Sequence, residues 1–219
     1  MRTRVKVCGI TRVDDALAAA RAGVDAIGLN FWPGTPRCVT IEQARAVTAA
    51  LQPFVTVVGL FVDPRPADVA AVLDQVRLDL LQFHGDEPPA LCASFGLRYI
   101  KAVPVRPGVD LLQYASRFVD AHGLLFDTFA PGGMPGGTGA TFDWKAMTPA
   151  LVTTLKRPIV LSGGLTPQNV GAAIRAMRPW AVDVSSGVEA SDAGGRPMRG
   201  IKDEAKIAAF VEGVRNADA

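Results

Sequence analysis

The sequence of 219 residues has few of the residues that form metal and disulfide sites. It contains three cysteines and two histidines, and no two cysteines form a C-x-x-C pair. Structural zinc sites use clustered cysteine and histidine ligands, so this composition argues against a metal site. The odd number of cysteines argues against disulfide pairing and favours a reducing, cytoplasmic location.

Long apolar runs and clusters of like charge are missing as well. No apolar run approaches the roughly 20 residues that a membrane helix needs. The net charge is only +2, without a basic block, whereas nucleic-acid binding usually requires a clustered basic stripe. We therefore predict neither a membrane nor a nucleic-acid partner. The chain enters a predicted strand within a few residues of Met1, so no signal peptide is expected.

Short β-branched runs alternate with alanine-rich stretches along the chain. The predicted strands cover residues 5–8, 26–30, 55–62, 78–84, 97–103, 124–127, 158–162 and 181–185. Such alternation indicates a parallel sheet, and eight strand–helix units fit a closed (β/α)8 TIM barrel. We predict a single domain of this class over residues 1–219. An open doubly wound sheet is the alternative, although no G-x-G-x-x-G follows the first strand.

Helix starts are predicted from capping residues. Thr11 with Asp14 and Thr40 with Gln43 have the spacing of a capping box. Pro167 is predicted to open a later helix, because proline is tolerated at the first helical position.

The stretch at 130–141 contains five glycines and is predicted to be a mobile loop after the sixth strand. A helix at 144–155 should follow this loop.

Active sites of (β/α)8 barrels lie at the carboxyl ends of the strands. The polar side chains expected there are Cys8, Asn30, His84, Asp127, Ser162 and Ser185. The last two open small turns, and these are Ser162-Gly163-Gly164 and Ser185-Ser186-Gly187. Backbone N–H groups in such turns can approach an anion closely, so we predict that the two turns bind a phosphate group. Alternatively, they are tight turns that need glycine for backbone reasons.

Cys8 and Asp127 are the candidate catalytic residues. Strand alternation places Cys8 on the same face as Lys6, a cation that favours the thiolate form. The alternative role of Cys8 is that of a small buried apolar residue. Asp127 ends an apolar strand, and a partly desolvated carboxyl group there can act as an acid. Its alternative role is a helix cap or a salt bridge.

Three further residues are candidates for substrate binding. Arg37 lies in a loop stiffened by prolines, where a guanidinium can bind a carboxylate; a solvated surface arginine is the alternative. His84 either contacts the substrate or orders its loop. Asp183 lies inside an apolar strand and needs a partner, either Lys6 or a substrate hydroxyl group.

Several short motifs occur in order along nearly the whole chain. They are K-V-C-G-I-T at 6–11, P-R at 36–37, Q-F-H-G-D-E at 82–87, F-D-T at 126–128, G-T-G at 137–139, F-D-W at 142–144, S-G-G-L at 162–165, D-V-S-S-G-V-E at 183–189 and K-D at 202–203. Together they resemble the motifs of the phosphoribosylanthranilate isomerases.

This resemblance implies an enzyme of L-tryptophan biosynthesis that is a (β/α)8 barrel, as a monomer or homodimer. Its phosphorylated small-molecule substrate would be N-(5′-phosphoribosyl)anthranilate. An Amadori rearrangement without cofactor or metal would yield 1-(2-carboxyphenylamino)-1-deoxyribulose 5-phosphate. The resemblance makes Cys8 the general base and Asp127 the general acid. It assigns Arg37 to the anthranilate carboxylate and the two glycine-containing turns to the phosphate.

Two other functions remain open at this point. The related sugar-phosphate isomerase of histidine biosynthesis does similar chemistry, but it uses an aspartate where this chain has Cys8. A barrel that only binds a phosphorylated ligand would explain the two turns, but not Cys8 together with Asp127.

Overall fold

Eight parallel strands close into a barrel in the order in which they occur along the chain. The computed structural model describes residues 2–106, 108–128 and 154–219. The barrel strands are β1 (Arg4–Cys8), β2 (Ala26–Asn30), β3 (Thr56–Phe61), β4 (Leu80–Phe83), β5 (Tyr99–Val105), β6 (Gly123–Thr128), β7 (Ile159–Leu161) and β8 (Ala181–Val184). This closed parallel barrel, with helices between its strands, confirms the predicted fold class.

Helices follow most of the strands and cover the outside of the barrel. They are α1 (Val13–Ala22), α2 (Ile41–Ala50), α3 (Pro66–Leu73), α4 (Pro89–Ala93), α5 (Leu111–Ser116), α6 (Val170–Met177) and α7 (Glu204–Asp218). In the part of the chain that the structure describes, none of them is long and apolar enough to cross a membrane.

The strands are buried on both faces, which explains their nearly continuous apolar sequences. Outward-facing side chains such as Val7 and Phe126 pack with the helices in the main hydrophobic core. A smaller, separate apolar cluster comes from strand residues alone, namely Ile100, Ala102, Leu125, Val160 and Ala181. Because neighbouring residues of a strand point to opposite faces, this second cluster lies inside the barrel.

The same alternation places a set of polar side chains inside the barrel. Lys6 lies between Val5 and Val7, which belong to the outer core, so its own side chain points inward. Gln82, Asp127 and Asp183 follow the same rule, and all are buried. The barrel interior is therefore apolar in one layer and charged in another.

One of the two predicted capping boxes is present. Thr40 accepts a hydrogen bond from the Gln43 backbone at 3.2 Å, and the Gln43 side chain accepts one from the Thr40 backbone at 2.9 Å. The box at Thr11 and Asp14 was wrong. The Thr11 hydroxyl instead donates to the Gly200 carbonyl at 2.5 Å, and α1 begins after Arg12 without a side-chain cap.

The helix predicted to open at Pro167 begins only at Val170. The Asn169 side chain closes the preceding turn, since it accepts a hydrogen bond from the Thr166 backbone and donates one to the Gly164 carbonyl. The turn after β7 is therefore held by Asn169 rather than by a helix start.

Helix α3 was not predicted from the sequence. Neither was a hairpin after β8, formed by β9 (Glu189–Ser191) and β10 (Pro197–Lys202). The glycine-rich stretch at 130–141 lies outside the described residues, as does the predicted helix at 144–155 apart from its last two residues. The mobile loop at 130–141 stays a prediction.

Candidate active site

A narrow cavity of about 50 Å³ opens at the carboxyl ends of the strands. It is lined by Cys8, Gly9, Asn30, Trp32, Thr35, Arg37, Leu60, Val62, Gln82, His84, Asp127, Ser162, Asp183 and Ser185. The structure thus brings together the predicted base, the predicted acid and the first residue of each predicted phosphate turn. A wider cavity of about 500 Å³ adjoins it and shares Trp32, Val62, His84 and Asp127.

Lys6 and Asp183 form an ion pair inside the barrel. The Lys6 Nζ atom lies 2.9 Å from Asp183 Oδ1, and both side chains are buried. This contact confirms Lys6 as the partner of Asp183. The other carboxylate oxygen of Asp183 accepts a long hydrogen bond from Ser162 Oγ at 3.4 Å, which connects the pair to the first predicted phosphate turn.

The protonation of Cys8 reflects opposing effects. Burial raises the pKa of the Cys8 thiol above its ordinary value, and the charges of Lys6 and Lys202 only partly oppose this. The pKa of Lys6 is raised as well, because Asp183 and Cys8 outweigh the burial that disfavours its charge. Lys6 thus favours the thiolate as predicted, but burial has the larger effect, so the net shift of the Cys8 pKa is upward.

Gly28 makes room for Cys8 and Lys6, a role that the sequence did not reveal. It pairs with Cys8 across the β1–β2 ladder. A Cβ atom added at Gly28 would lie 2.8 Å from Cys8 Sγ and 3.2 Å from Lys6 Nζ. A distance of 2.8 Å is shorter than carbon–sulfur packing allows, so any larger residue there would displace the thiol.

Asp127 belongs to a buried chain of hydrogen-bonding side chains. Its Oδ2 atom lies 3.1 Å from His84 Nε2, and His84 Nδ1 lies 2.9 Å from the amide nitrogen of Gln82. His84 therefore contacts the predicted acid directly while also lining the cavity. Gln82 was not predicted as a site residue.

Arg37 is buried rather than solvated, with 7% of its surface exposed. Its Nε and Nη2 atoms lie 2.6 Å and 2.9 Å from the two carboxylate oxygens of Glu189, the first residue of β9. Arg37 does bind a carboxylate, as predicted, and the contact is bidentate, but this carboxylate belongs to the protein. Glu189 was part of a motif in the sequence, yet nothing in that motif indicated its partner.

Lys202 connects Glu189 to the second predicted phosphate turn. Its Nζ atom lies 3.3 Å from Glu189 Oε1 and donates to the Ser185 carbonyl at 3.0 Å. Burial lowers the pKa of Lys202, and Glu189 only partly offsets this. The pKa of Glu189 is also lowered; burial would raise it, but hydrogen bonds from Arg37 and the charge of Lys202 outweigh that effect.

The two predicted phosphate turns lie against each other. A Cβ atom at Gly187 would lie only 1.9 Å from the Leu165 carbonyl oxygen, so only glycine fits there. Gly163 and Gly164 both have positive φ angles, of 91° and 62°, and their N–H groups donate no hydrogen bond to the residues that the structure describes. A 3₁₀ helix, Ser186–Val188, begins in the second turn. Free N–H groups beside a short extra helix are typical of phosphate sites in this fold.

In the described ranges, no group of three or more histidine, cysteine, aspartate or glutamate side chains could hold a metal ion.

Comparison with known proteins places these features in context. Residues 5–213 match the family model described as N-(5′-phosphoribosyl)anthranilate (PRA) isomerase. The N-(5′-phosphoribosyl)anthranilate isomerase of Azotobacter vinelandii is 52% identical over 214 residues, which cover 98% of each chain.

Solved structures of phosphoribosylanthranilate isomerases are also similar to this chain. The phosphoribosylanthranilate isomerase of Thermotoga maritima superimposes with a TM-score of 0.86 at 40% identity, covering 98% of this chain and 99% of that one. A structure of such an isomerase in complex with reduced 1-(o-carboxyphenylamino)-1-deoxyribulose 5-phosphate gives a TM-score of 0.83 at 38% identity, with the same coverage.

Proposed function

The chain belongs to the N-(5′-phosphoribosyl)anthranilate isomerase family, and we propose that Cys8 and Asp127 are the base and the acid of its reaction. The enzyme converts N-(5′-phosphoribosyl)anthranilate into 1-(2-carboxyphenylamino)-1-deoxyribulose 5-phosphate in tryptophan biosynthesis. One observation carries the assignment of residues. Cys8 and Asp127 line a single cavity that also contains Arg37 and the first serine of each phosphate turn.

Two anchors hold the substrate by its two anionic ends. The phosphate binds at Ser162-Gly163-Gly164 and Ser185-Ser186-Gly187, where the N–H groups of Gly163 and Gly164 are not used by the described residues. The anthranilate carboxylate binds to Arg37. A guanidinium carries five N–H donors, and two of these face Glu189, so the edge at Nη1 remains for the substrate.

The reaction begins with proton transfer from Asp127 to the furanose ring oxygen. The C1′–O bond breaks, and the nitrogen lone pair forms an iminium with C1′. The iminium makes the C2′ proton acidic, and the Cys8 thiolate removes it to give an enolamine. Transfer of a proton from O2′ to C1′ then yields the ketone. Asp127 has lost one proton and Cys8 has gained one, so exchange with water restores both groups.

Positioning and acid–base catalysis contribute together. Each positioned acid or base typically accelerates a reaction by about 10²–10⁴-fold. Because both ends of the substrate are anchored, C2′ is fixed beside Cys8 and the ring oxygen beside Asp127. The positive charge of the iminium forms next to the buried thiol and favours its thiolate at the step that needs the base.

Asp183 and His84 complete the substrate site in this proposal. Asp183 is held by Lys6 and Ser162, so that it faces the sugar with a fixed orientation. His84 faces the same cavity and holds Asp127.

A direct assay tests the reaction. Freshly made phosphoribosylanthranilate is mixed with the purified protein, the loss of anthranilate fluorescence is followed, and the product is identified by chromatography. Conversion to the deoxyribulose phosphate supports the proposal. Binding of the substrate without conversion would indicate a binding protein, and conversion of the histidine-pathway substrate alone would indicate the related isomerase.

A further inference from the structure

We propose that Gln82 determines which nitrogen of His84 carries the proton, and that His84 thereby holds Asp127 in one orientation. Gln82 is thus a positioning residue that acts through His84. The inference rests on the proposed role of Asp127 as the acid, but its first step concerns only the protons of His84.

The amide of Gln82 is completely buried in β4. Its nitrogen lies 2.9 Å from His84 Nδ1. An amide nitrogen only donates hydrogen bonds, so Nδ1 must accept and cannot carry a proton. This geometry excludes the imidazolium, in which both ring nitrogens donate. It also excludes the neutral tautomer that is protonated at Nδ1.

The remaining tautomer carries its proton on Nε2. That atom lies 3.1 Å from Asp127 Oδ2, so His84 donates a hydrogen bond to this carboxyl oxygen. The proton that Asp127 delivers is therefore carried by Oδ1, the oxygen that His84 does not hold. Gln82, His84 and Asp127 all line the narrow cavity, so the chain ends where the substrate binds.

The orientation of the Gln82 amide decides which group donates the hydrogen bond between His84 and Asp127. In the present orientation the amide nitrogen donates to Nδ1, and the carbonyl oxygen, Oε1, lacks a partner among the described residues. A reversed amide would bury an NH₂ group without a partner there and would require Nδ1 to be protonated. A neutral His84 could then bind Asp127 only by accepting the acid's own proton at Nε2. The present orientation leaves that proton free for transfer to the substrate.

Nitrogen NMR of protein labelled with ¹⁵N-histidine tests the first step without any turnover. The chain has only two histidines, and the exposed His122 provides an internal reference. At neutral pH we expect a pyrrole-type Nε2 resonance and a pyridine-type Nδ1 resonance for His84. A protonated Nδ1 in the wild-type protein would overturn the inference, whether or not the protein isomerises the proposed substrate.

Two substitutions extend the test. In Gln82→Glu the new carboxylate accepts a hydrogen bond, so the proton should move to Nδ1 or the ring should become charged. In Gln82→Met the side chain can neither donate a hydrogen bond to His84 Nδ1 nor accept one from it. We expect kcat to fall by up to about 100-fold with little change in KM, because Asp127 is no longer oriented. Gln52→Met makes the same change at an exposed position that is not part of the active-site cavity, and it should leave kcat unchanged.

Failure of the inference about Gln82 can be distinguished from failure of the proposed function. An Nε2–H signal that persists in Gln82→Glu would contradict the assignment of Gln82. A normal kcat in folded Gln82→Met would contradict its positioning role. If the wild-type enzyme does not turn over phosphoribosylanthranilate, the proposed function fails, while the NMR result still decides the proton position on His84.

Discussion

Lys6 and Asp183 are paired directly across the β1–β8 ladder, and their side chains meet at 2.9 Å inside the barrel. The pair lies beside Cys8, whose pKa depends on both charges. Burial opposes the thiolate, Lys6 favours it, and Asp183 opposes it. The reactivity of the proposed base is therefore set by a neighbouring ion pair whose two charges act on it in opposite directions.

Removing the positive charge of Lys6 should raise the pKa of the Cys8 thiol. In Lys6→Met, the positive charge beside Cys8 is lost while the negative charge of Asp183 stays, so the pKa of Cys8 should rise further. The rate of Cys8 alkylation, followed peptide by peptide against pH, should then have a midpoint above the wild-type midpoint. The wild-type midpoint should itself lie above the ordinary cysteine value of about 8.5.

Lys6→Met also leaves Asp183 buried without its partner, which typically costs about 3–5 kcal/mol. Circular dichroism must therefore confirm that the variant is folded before its alkylation is interpreted. A midpoint that is unchanged or lower in the folded variant would show that Lys6 does not favour the thiolate.

Glu189 should stabilise the protein in a manner that depends on pH. Its pKa is lowered in the folded state, so it contributes stability at pH values above its unfolded pKa of about 4.3. This contribution is lost as the pH falls through the lower, folded pKa. Glu189→Gln should therefore reduce the free energy of unfolding by about 3–5 kcal/mol at pH 7, and the difference should shrink in acid. Denaturant unfolding across this pH range measures it.

The Glu189→Gln variant should also bind the substrate more weakly, since Arg37 loses the partner that orients it. We expect an increased KM with a smaller change in kcat. Glu204→Gln is the matched control, because Glu204 forms an exposed pair with Arg21 in which both side chains are more than half exposed. Such a pair contributes less than about 1 kcal/mol. Equal losses of stability in the two variants would contradict the buried role of Glu189.

Gly28→Ala should impair catalysis by steric displacement. The added methyl group would lie 2.8 Å from Cys8 Sγ, so the thiol must move. A displacement of about 1 Å at the reacting group can reduce the rate by about 100-fold, and overpacking costs about 1–3 kcal/mol of stability. Steady-state kinetics and thermal unfolding measure the two effects.

Gly171→Ala serves as its control. Gly171 lies in helix α6, and its added Cβ would make only an ordinary contact of 3.4 Å with the flexible Arg175 side chain. This variant should keep the wild-type rate. Full activity in Gly28→Ala as well would show that the position of the Cys8 thiol is not critical.

Much of the fold and of the site could be predicted from the sequence, because both follow from local pattern. Strands buried on two faces have continuous apolar sequences, and alternation within β1 and β8 directs Lys6 and Asp183 to the same interior. The carboxyl ends of parallel strands meet at one rim, so Cys8, His84 and Asp127 were predicted to lie close together. No pairwise contact needed to be known for this step.

The contacts that were missed join residues far apart in the sequence. Arg37 and Glu189 are 152 positions apart, and their contact depends on a hairpin that the sequence did not reveal. The Thr11 hydroxyl bonds to Gly200 of that same hairpin, although the local pattern indicated a helix cap. Local propensity cannot show which of several partners a polar side chain selects in the folded protein.

The most direct test of the central claim is the turnover of phosphoribosylanthranilate by the wild type, Cys8→Ala and Asp127→Asn. Cys92→Ala is the control, since Cys92 is also buried but lies in α4 and does not line the cavity. We predict rapid conversion by the wild type and the control, with kcat lowered by about 10²–10⁴-fold in each of the other variants and KM changed much less. Near-normal turnover in folded Cys8→Ala would contradict the assignment of Cys8 as the base.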